Sequence, residues 1–210
     1  MSDGSPHLEY LTGCCRTDGT RRGASGGHAV LDVFAGTWDA RSLFWIRPGE
    51  KPLESTGTMS SQWILGERYL QQRYVGAQMF DQEYAGCGIW GFNSTTGAYE
   101  CVWCDTAACM ILFERGSFDE DKKVYIADSS FISPTTGQIM RRRSVVTVRS
   151  NDEHVLETYL GPEPDADELL QANESGSNPF ESAPEVLRVS SLDDTFDAPK
   201  VMEIRFSRRS

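Results

Sequence analysis

Few side chains in this sequence have the chemistry for catalysis or metal binding, so they can be weighed one at a time. Six cysteines and three histidines stand among 210 residues. Cys101-Val102-Trp103-Cys104 has the spacing of a metal knuckle or a redox pair. On an extended strand, however, side chains three positions apart leave by opposite faces, so these two sulfurs cannot converge on one ion. A zinc ribbon also needs its cysteines in turns, and neither Cys87 nor Cys109 lies in a knuckle-like turn. Buried or half-buried thiols are the better account, and no metal site is assigned. His7, His28 and His154 have no Cys or Ser nucleophile paired with them in sequence. A triad would have to be assembled by the fold alone. A haem ligand from a histidine is conceivable, but His154, at a turn-to-strand junction, reads as solvated. No cofactor is expected.

Aromatic and polar residues on strand-like stretches say more. The candidates for holding a ligand are Trp38, Phe44, Gln72, Tyr74, Tyr99, Trp103, Asp105, Glu114 and Arg142. Alternation puts Tyr99, Cys101, Trp103 and Asp105 on one face of their strand. It groups Met110 with Leu112 and Glu114, and Met140 with Arg142, Ser144 and Val146. If the first of these faces is internal, Asp105 enters an aromatic pocket, where desolvation raises a carboxylate's pKa. Arg142 would then suit a ligand carboxylate held bidentately. Glu203 is a further polar candidate. Each of these also has a plain reading, as a solvated outward residue or a cross-strand pair. Arg141-Arg142-Arg143 is no nucleic-acid patch, because three consecutive strand residues split between two faces.

The elements that must position these residues are strands. Residues 37–46, 54–64, 68–77, 83–92, 99–106, 110–118, 123–132, 139–149, 154–160 and 201–206 are each dense in β-branched and aromatic types, with turn signals between them. Asn93-Ser94-Thr95-Thr96-Gly97 and Ser133-Pro134-Thr135-Thr136-Gly137 read as hairpin loops, with Gly supplying positive φ. Residues 29–34 fit a short capping helix. Ten strands with short links favour a closed up-and-down barrel, or a sandwich, since closure removes the unpaired edges of a long meander. The expected fold is all-β.

Composition narrows the partners. The net charge of −11 argues against nucleic acid, which wants a basic face. No apolar run approaches the roughly 20 residues that span a bilayer, and residues 1–27 lack the hydrophobic segment of a secretory signal. A cytoplasmic protein with reduced thiols is the expectation. Residues 1–27, rich in Gly, Ser, Thr and Arg, read as a mobile arm. Residues 28–210 read as one domain carrying an acidic, Pro-, Ser- and Asn-rich insert at 161–199. That insert has helix-start character at 165–170. It reads as a lid over the barrel mouth, a contact for a partner subunit, or a surface loop.

Several motifs occur in a telling order: Phe34-Ala35-Gly36-Thr37-Trp38-Asp39 with its Gly-x-Trp, Pro48-Gly49, Ser55-Thr56-Gly57-Thr58, and the run from Trp63 to Gln71. They are followed by Tyr84-Ala85-Gly86-Cys87-Gly88, Gly91-Phe92-Asn93, Tyr99 with Trp103 and Asp105, Gly116-Ser117-Phe118-Asp119, and Met202 to Arg208. Together they resemble the bacterial lipocalin-like family known as domain of unknown function 1579, over residues 28–160 and 200–209. The resemblance implies a calycin-type barrel of about ten antiparallel strands and little about activity. Family members usually cross the point of the acidic insert with a short loop.

Three readings follow. The first is a container for a small apolar or amphipathic molecule, with a homodimer left open. The second is a cofactor-independent cyclase or isomerase using one buried carboxylate in the same cavity. The third is a solid-packed structural or interaction protein. An internal cavity of several hundred cubic ångströms separates the first two from the third.

Overall fold

Alternation of residue type along the strands is what lets this chain close on itself. In β1 (Gly36–Phe44), Trp38, Ala40 and Ser42 are buried while Asp39 and Arg41 face solvent. A computed structural model describes residues 26–79, 82–162 and 196–210. Its further strands are β2 (Leu53–Ile64), β3 (Tyr69–Met79), β4 (Gln82–Asn93), β5 (Ala98–Asp105), β6 (Leu112–Asp119), β7 (Val124–Ile132), β8 (Ile139–Ser150), β9 (Glu153–Pro162) and β10 (Lys200–Arg208). Each strand pairs antiparallel with the next, and β10 returns to β1, so the sheet is a closed barrel without edges. The ten expected strands are all present, displaced at their ends by a residue or two. The expected arm (1–27) and acidic insert (161–199) lie almost wholly outside the described residues.

One end of the barrel is plugged. A single-turn helix α1 (Gly27–Val30) runs into a 3-10 turn (Leu31–Phe34), which starts the expected helix two residues early and divides it. Leu31 and Phe34 fill the end against Leu70, Tyr99, Tyr125 and Val146. The Gly-x-Trp motif is the hinge of this plug. Gly36 has φ +126°, which only glycine adopts readily, and a Cβ there would come within 2.5 Å of the Arg208 guanidinium. That guanidinium lies 4.1 Å over the Trp38 ring and donates to the carbonyls of Ala35 (2.7 Å), Val33 (3.0 Å) and Asn151 (2.7 Å). Trp38 Nε1 donates to Phe34 O at 3.0 Å, and Trp63 Nε1 to Asp32 Oδ1 at 2.9 Å. The turn carbonyls that the 3-10 segment leaves over are thus satisfied by the first and last strands.

His154 corrects the sequence reading. It is not solvated but 5% exposed, stacked on Phe206 with ring centres 4.6 Å apart and edge-on to Trp38 and Phe34. Burial, then the nearby Arg208 charge, pushes its pKa down to about 3. The ring is neutral across the physiological range.

Candidate functional site: the barrel interior

Beyond the plug the interior is hollow, with a cavity of about 320 Å³. Glycines help make the room. Gly86 and Gly88 of β4 stand opposite Asp105 and Trp103 of β5, and a Cβ at either glycine would strike the Trp103 indole. The indole therefore lies against bare strand backbone. Phe44, Met59, Tyr74, Trp90, Leu112, Phe131, Leu156 and Ile204 complete a mostly apolar wall.

The polar groups gather on β5 to β9. Glu114, opposite Cys101 in the ladder, accepts from Ser144 Oγ at 2.8 Å through Oε1, and Arg142 NH1 lies 3.4 Å from the same oxygen. Burial first, and the Glu114 charge second, raise the Cys101 thiol well above its usual range. The Tyr125 phenol is raised in the same way, by burial above all. Both groups stay protonated. Two hydroxyls that line the cavity, Tyr125 OH and Thr158 Oγ1, have no hydrogen-bond partner among the described residues. Tyr125 is 1% exposed and Thr158 4%. A buried polar group left unpaired costs about 1–3 kcal/mol, which a ligand's polar atom would recover.

Asp105 is engaged differently. Its Oδ2 accepts from Tyr84 OH (3.0 Å) and Trp103 Nε1 (3.1 Å), while Oδ1 accepts the backbone N–H groups of Ala107 and Ala108. It terminates β5 by holding the turn beyond it. Tyr84 is raised by burial first and by Asp105 second, so it remains a neutral donor. Among the ionised side chains of the wall, the two carboxylates of Asp105 and Glu114 outnumber the one guanidinium of Arg142.

Of the nine candidates read from the sequence, Phe44, Gln72, Tyr74, Trp103, Asp105, Glu114 and Arg142 line this cavity. Trp38 and Tyr99 do not. Trp38 belongs to the plug, and Tyr99 OH donates to Gly27 O at 3.0 Å, tying α1 to β5. Arg142, expected to be available to a ligand carboxylate, is already paired with Glu114. Glu203 faces outward, where Lys200 (2.7 Å) and Arg205 (2.9 Å) hold it and lower its pKa. The expected division of Arg141-Arg142-Arg143 holds. Arg142 lines the interior, while Arg141 and Arg143 flank the Phe196 ring and Arg143 forks onto Asp128. Tyr125 and Thr158 were missed. Their positions in phase with Phe131 on β7 and with Leu156 and Leu160 on β9 were the available signal.

Fold and site together define a closed ten-stranded antiparallel barrel with one plugged end and a largely apolar internal cavity. The chain belongs to the family described as protein of unknown function (DUF1579), whose model matches residues 24–171. The match ends before β10, the strand that closes the barrel. No curated protein matches the chain. Among solved structures it is similar to Rv2717c from M. tuberculosis, at 13% identity and a TM-score of 0.54, covering 89% of this chain and 99% of that one. At that identity the likeness is one of fold. Two others align more loosely. A redesigned beta barrel, b11L5F_LGL, is 11% identical with a TM-score of 0.37, covering 87% of this chain and 95% of its own. EF1p2_mFAP2b bound to DFHBI is 9% identical with a TM-score of 0.40, covering 87% and 98%. No helix among the described residues is long and apolar enough to cross a membrane.

Proposed function

We propose that this barrel is a lipocalin-like container for a small, mostly apolar, uncharged molecule bearing one or two hydrogen-bonding groups. The observation that carries the reading is an apolar cavity of about 320 Å³ with two orphaned hydroxyls, Tyr125 OH and Thr158 Oγ1, in its wall. The volume is near the lower end of the range for ligand pockets, roughly 300–1,000 Å³. It is about twice the ~150 Å³ of an engineered apolar cavity that takes up benzene. An anionic ligand is disfavoured, because Arg142 is already matched by Glu114 and Asp105 adds a further negative charge. A neutral alcohol, ketone or ester would satisfy the hydroxyls without adding a buried charge.

The cavity disfavours a solid-packed interior. The engagement of both carboxylates favours binding over catalysis. Glu114 Oε1 already takes Ser144 and Arg142, and Asp105 takes four donors. Neither is poised as a bare general base. The test is a titration of the full chain with 1-decanol and with decanoate, read by the emission of Trp90 and Trp103 in the cavity wall, alongside native mass spectrometry. Saturable binding of the alcohol, at least tenfold tighter than the carboxylate, is expected. Absence of binding by either, or a preference for decanoate, overturns the reading.

A further inference from the structure

Outside the cavity, on the opposite face of the same two strands, two cysteines face each other. Cys87 of β4 and Cys104 of β5 are direct partners in the antiparallel register, and their sulfurs are 3.3 Å apart. Cys87 is exposed and Cys104 half-buried, and both are free thiols. Side chains directly opposed in such a ladder have Cβ atoms about 4.5–5.5 Å apart, and a disulfide asks for about 3.5–4.5 Å. Only a slight tightening of one strand pair separates the dithiol from a disulfide. Strand alternation separates Cys104 from Cys101, which lies inside, and the β4–β5 register places Cys87 opposite Cys104.

We infer that Cys87 and Cys104 form a reversible thiol–disulfide exchange site on the outer wall, taking electrons to and from small disulfides of the glutathione class. The two thiols have distinct parts. Either sulfur can donate in their mutual contact, and Cys104 also donates toward Cys87 O at 3.7 Å. The contact with the Cys87 sulfur above all, and burial next, raise the Cys104 pKa. Cys87, the exposed partner, attacks first. Its thiolate bonds to one sulfur of the small disulfide, the S–S bond breaks, and the leaving thiolate takes up the proton Cys87 has lost. Cys104 then gives up its proton and attacks the Cys87 sulfur, expelling the second small thiol. Two protein thiols become one disulfide, and one small disulfide becomes two small thiols. The bond would tie β4 to β5 at the level where Trp103 rests on Gly86 and Gly88, so the redox state is felt at the cavity wall.

The test treats the reduced full chain with oxidised glutathione in buffers of stepped potential, quenches with acid, alkylates and maps the peptides. A Cys87–Cys104 crosslink is expected at least tenfold faster than blocking of Cys109, which is exposed but has no thiol opposite it in a ladder. In Cys104→Ser, glutathione should accumulate on Cys87, whereas Cys87→Ser should leave Cys104 largely alkylatable. The crosslink should also change Trp103 emission, and reduced glutathione should reverse it. Serine in place of either exposed-face thiol is not expected to disturb folding, and circular dichroism of each variant checks this. The proposal is overturned if Cys87 and Cys104 both stay alkylatable while Cys109 is blocked. It is equally overturned if Cys87 pairs with another cysteine, with a second molecule, or stably with glutathione in the unaltered chain.

Discussion

At Tyr125 and Thr158 a hydroxyl is buried without a partner among the described residues, and this sets apart binding and stability in a way that few residues allow. In Tyr125→Phe the orphaned group is gone, so the ligand-free protein should be unchanged or more stable by up to about 1 kcal/mol. The same change should weaken a bound alcohol about fivefold by removing its hydrogen bond. Urea denaturation and the fluorescence titration read the two effects separately, and a loss of stability without loss of affinity would remove Tyr125 from the site. His154 gives the second prediction. Its ordinary pKa of 6.5 falls to about 3 in the fold, so the unfolded chain binds the proton first. The contribution is complete above pH 6.5 and is lost as pH falls from 6.5 toward 3, with a slope approaching about 1.4 kcal/mol per pH unit. The groups facing it are the Arg208 cation and the rings of Phe34, Trp38 and Phe206. His154→Phe should therefore lose less stability than the unaltered chain between pH 7 and pH 5, by on the order of 2 kcal/mol. Urea midpoints at the two pH values measure it, and identical pH dependence would contradict it.

At the scale of elements, the plug depends on the place where β1 leaves the 3-10 turn. Gly36 and Gly97 both have positive φ, yet their surroundings differ. A Cβ on Gly97 meets nothing within 4 Å, whereas one on Gly36 meets the guanidinium that caps three carbonyls. Gly97→Ala should cost about 1–2 kcal/mol, the ordinary penalty of the left-handed region. Gly36→Ala should cost more, because strain of about 1–3 kcal/mol is joined by displacement of Arg208 from Trp38. Denaturant unfolding of both variants tests the order. Equal costs would mean that Arg208 yields freely.

On the scale of the whole molecule, closure is what makes the interior available. Ten strands close around an interior that the inward side chains leave partly open, and glycines on β4 widen it further. Filling that space should separate fold from function. Leu112→Trp is expected to leave the melting temperature within a few degrees, in line with about 1 kcal/mol. It should abolish binding of 1-decanol by fluorescence and native mass spectrometry. Undiminished binding would place the ligand elsewhere.

The order and approximate limits of all ten strands were legible because alternation, turn glycines and β-branched residues are local properties of the chain. The same alternation correctly grouped Cys101, Trp103 and Asp105, then Leu112 and Glu114, then Arg142, Ser144 and Val146. It could not tell which end of the barrel is plugged. Trp38 and Tyr99 are in phase with the cavity but sit at the closed end, and the sequence offers no measure of depth along the barrel axis. Partners across strands were equally hidden. Only the fold decides that Arg142 meets Glu114, that Cys87 is the thiol opposite Cys104, and that His154 is enclosed by residues from the first and last strands. The sequence by itself determined the strands and the two faces of each. The tertiary structure decided what each face meets, because that depends on pairings between residues far apart in the chain.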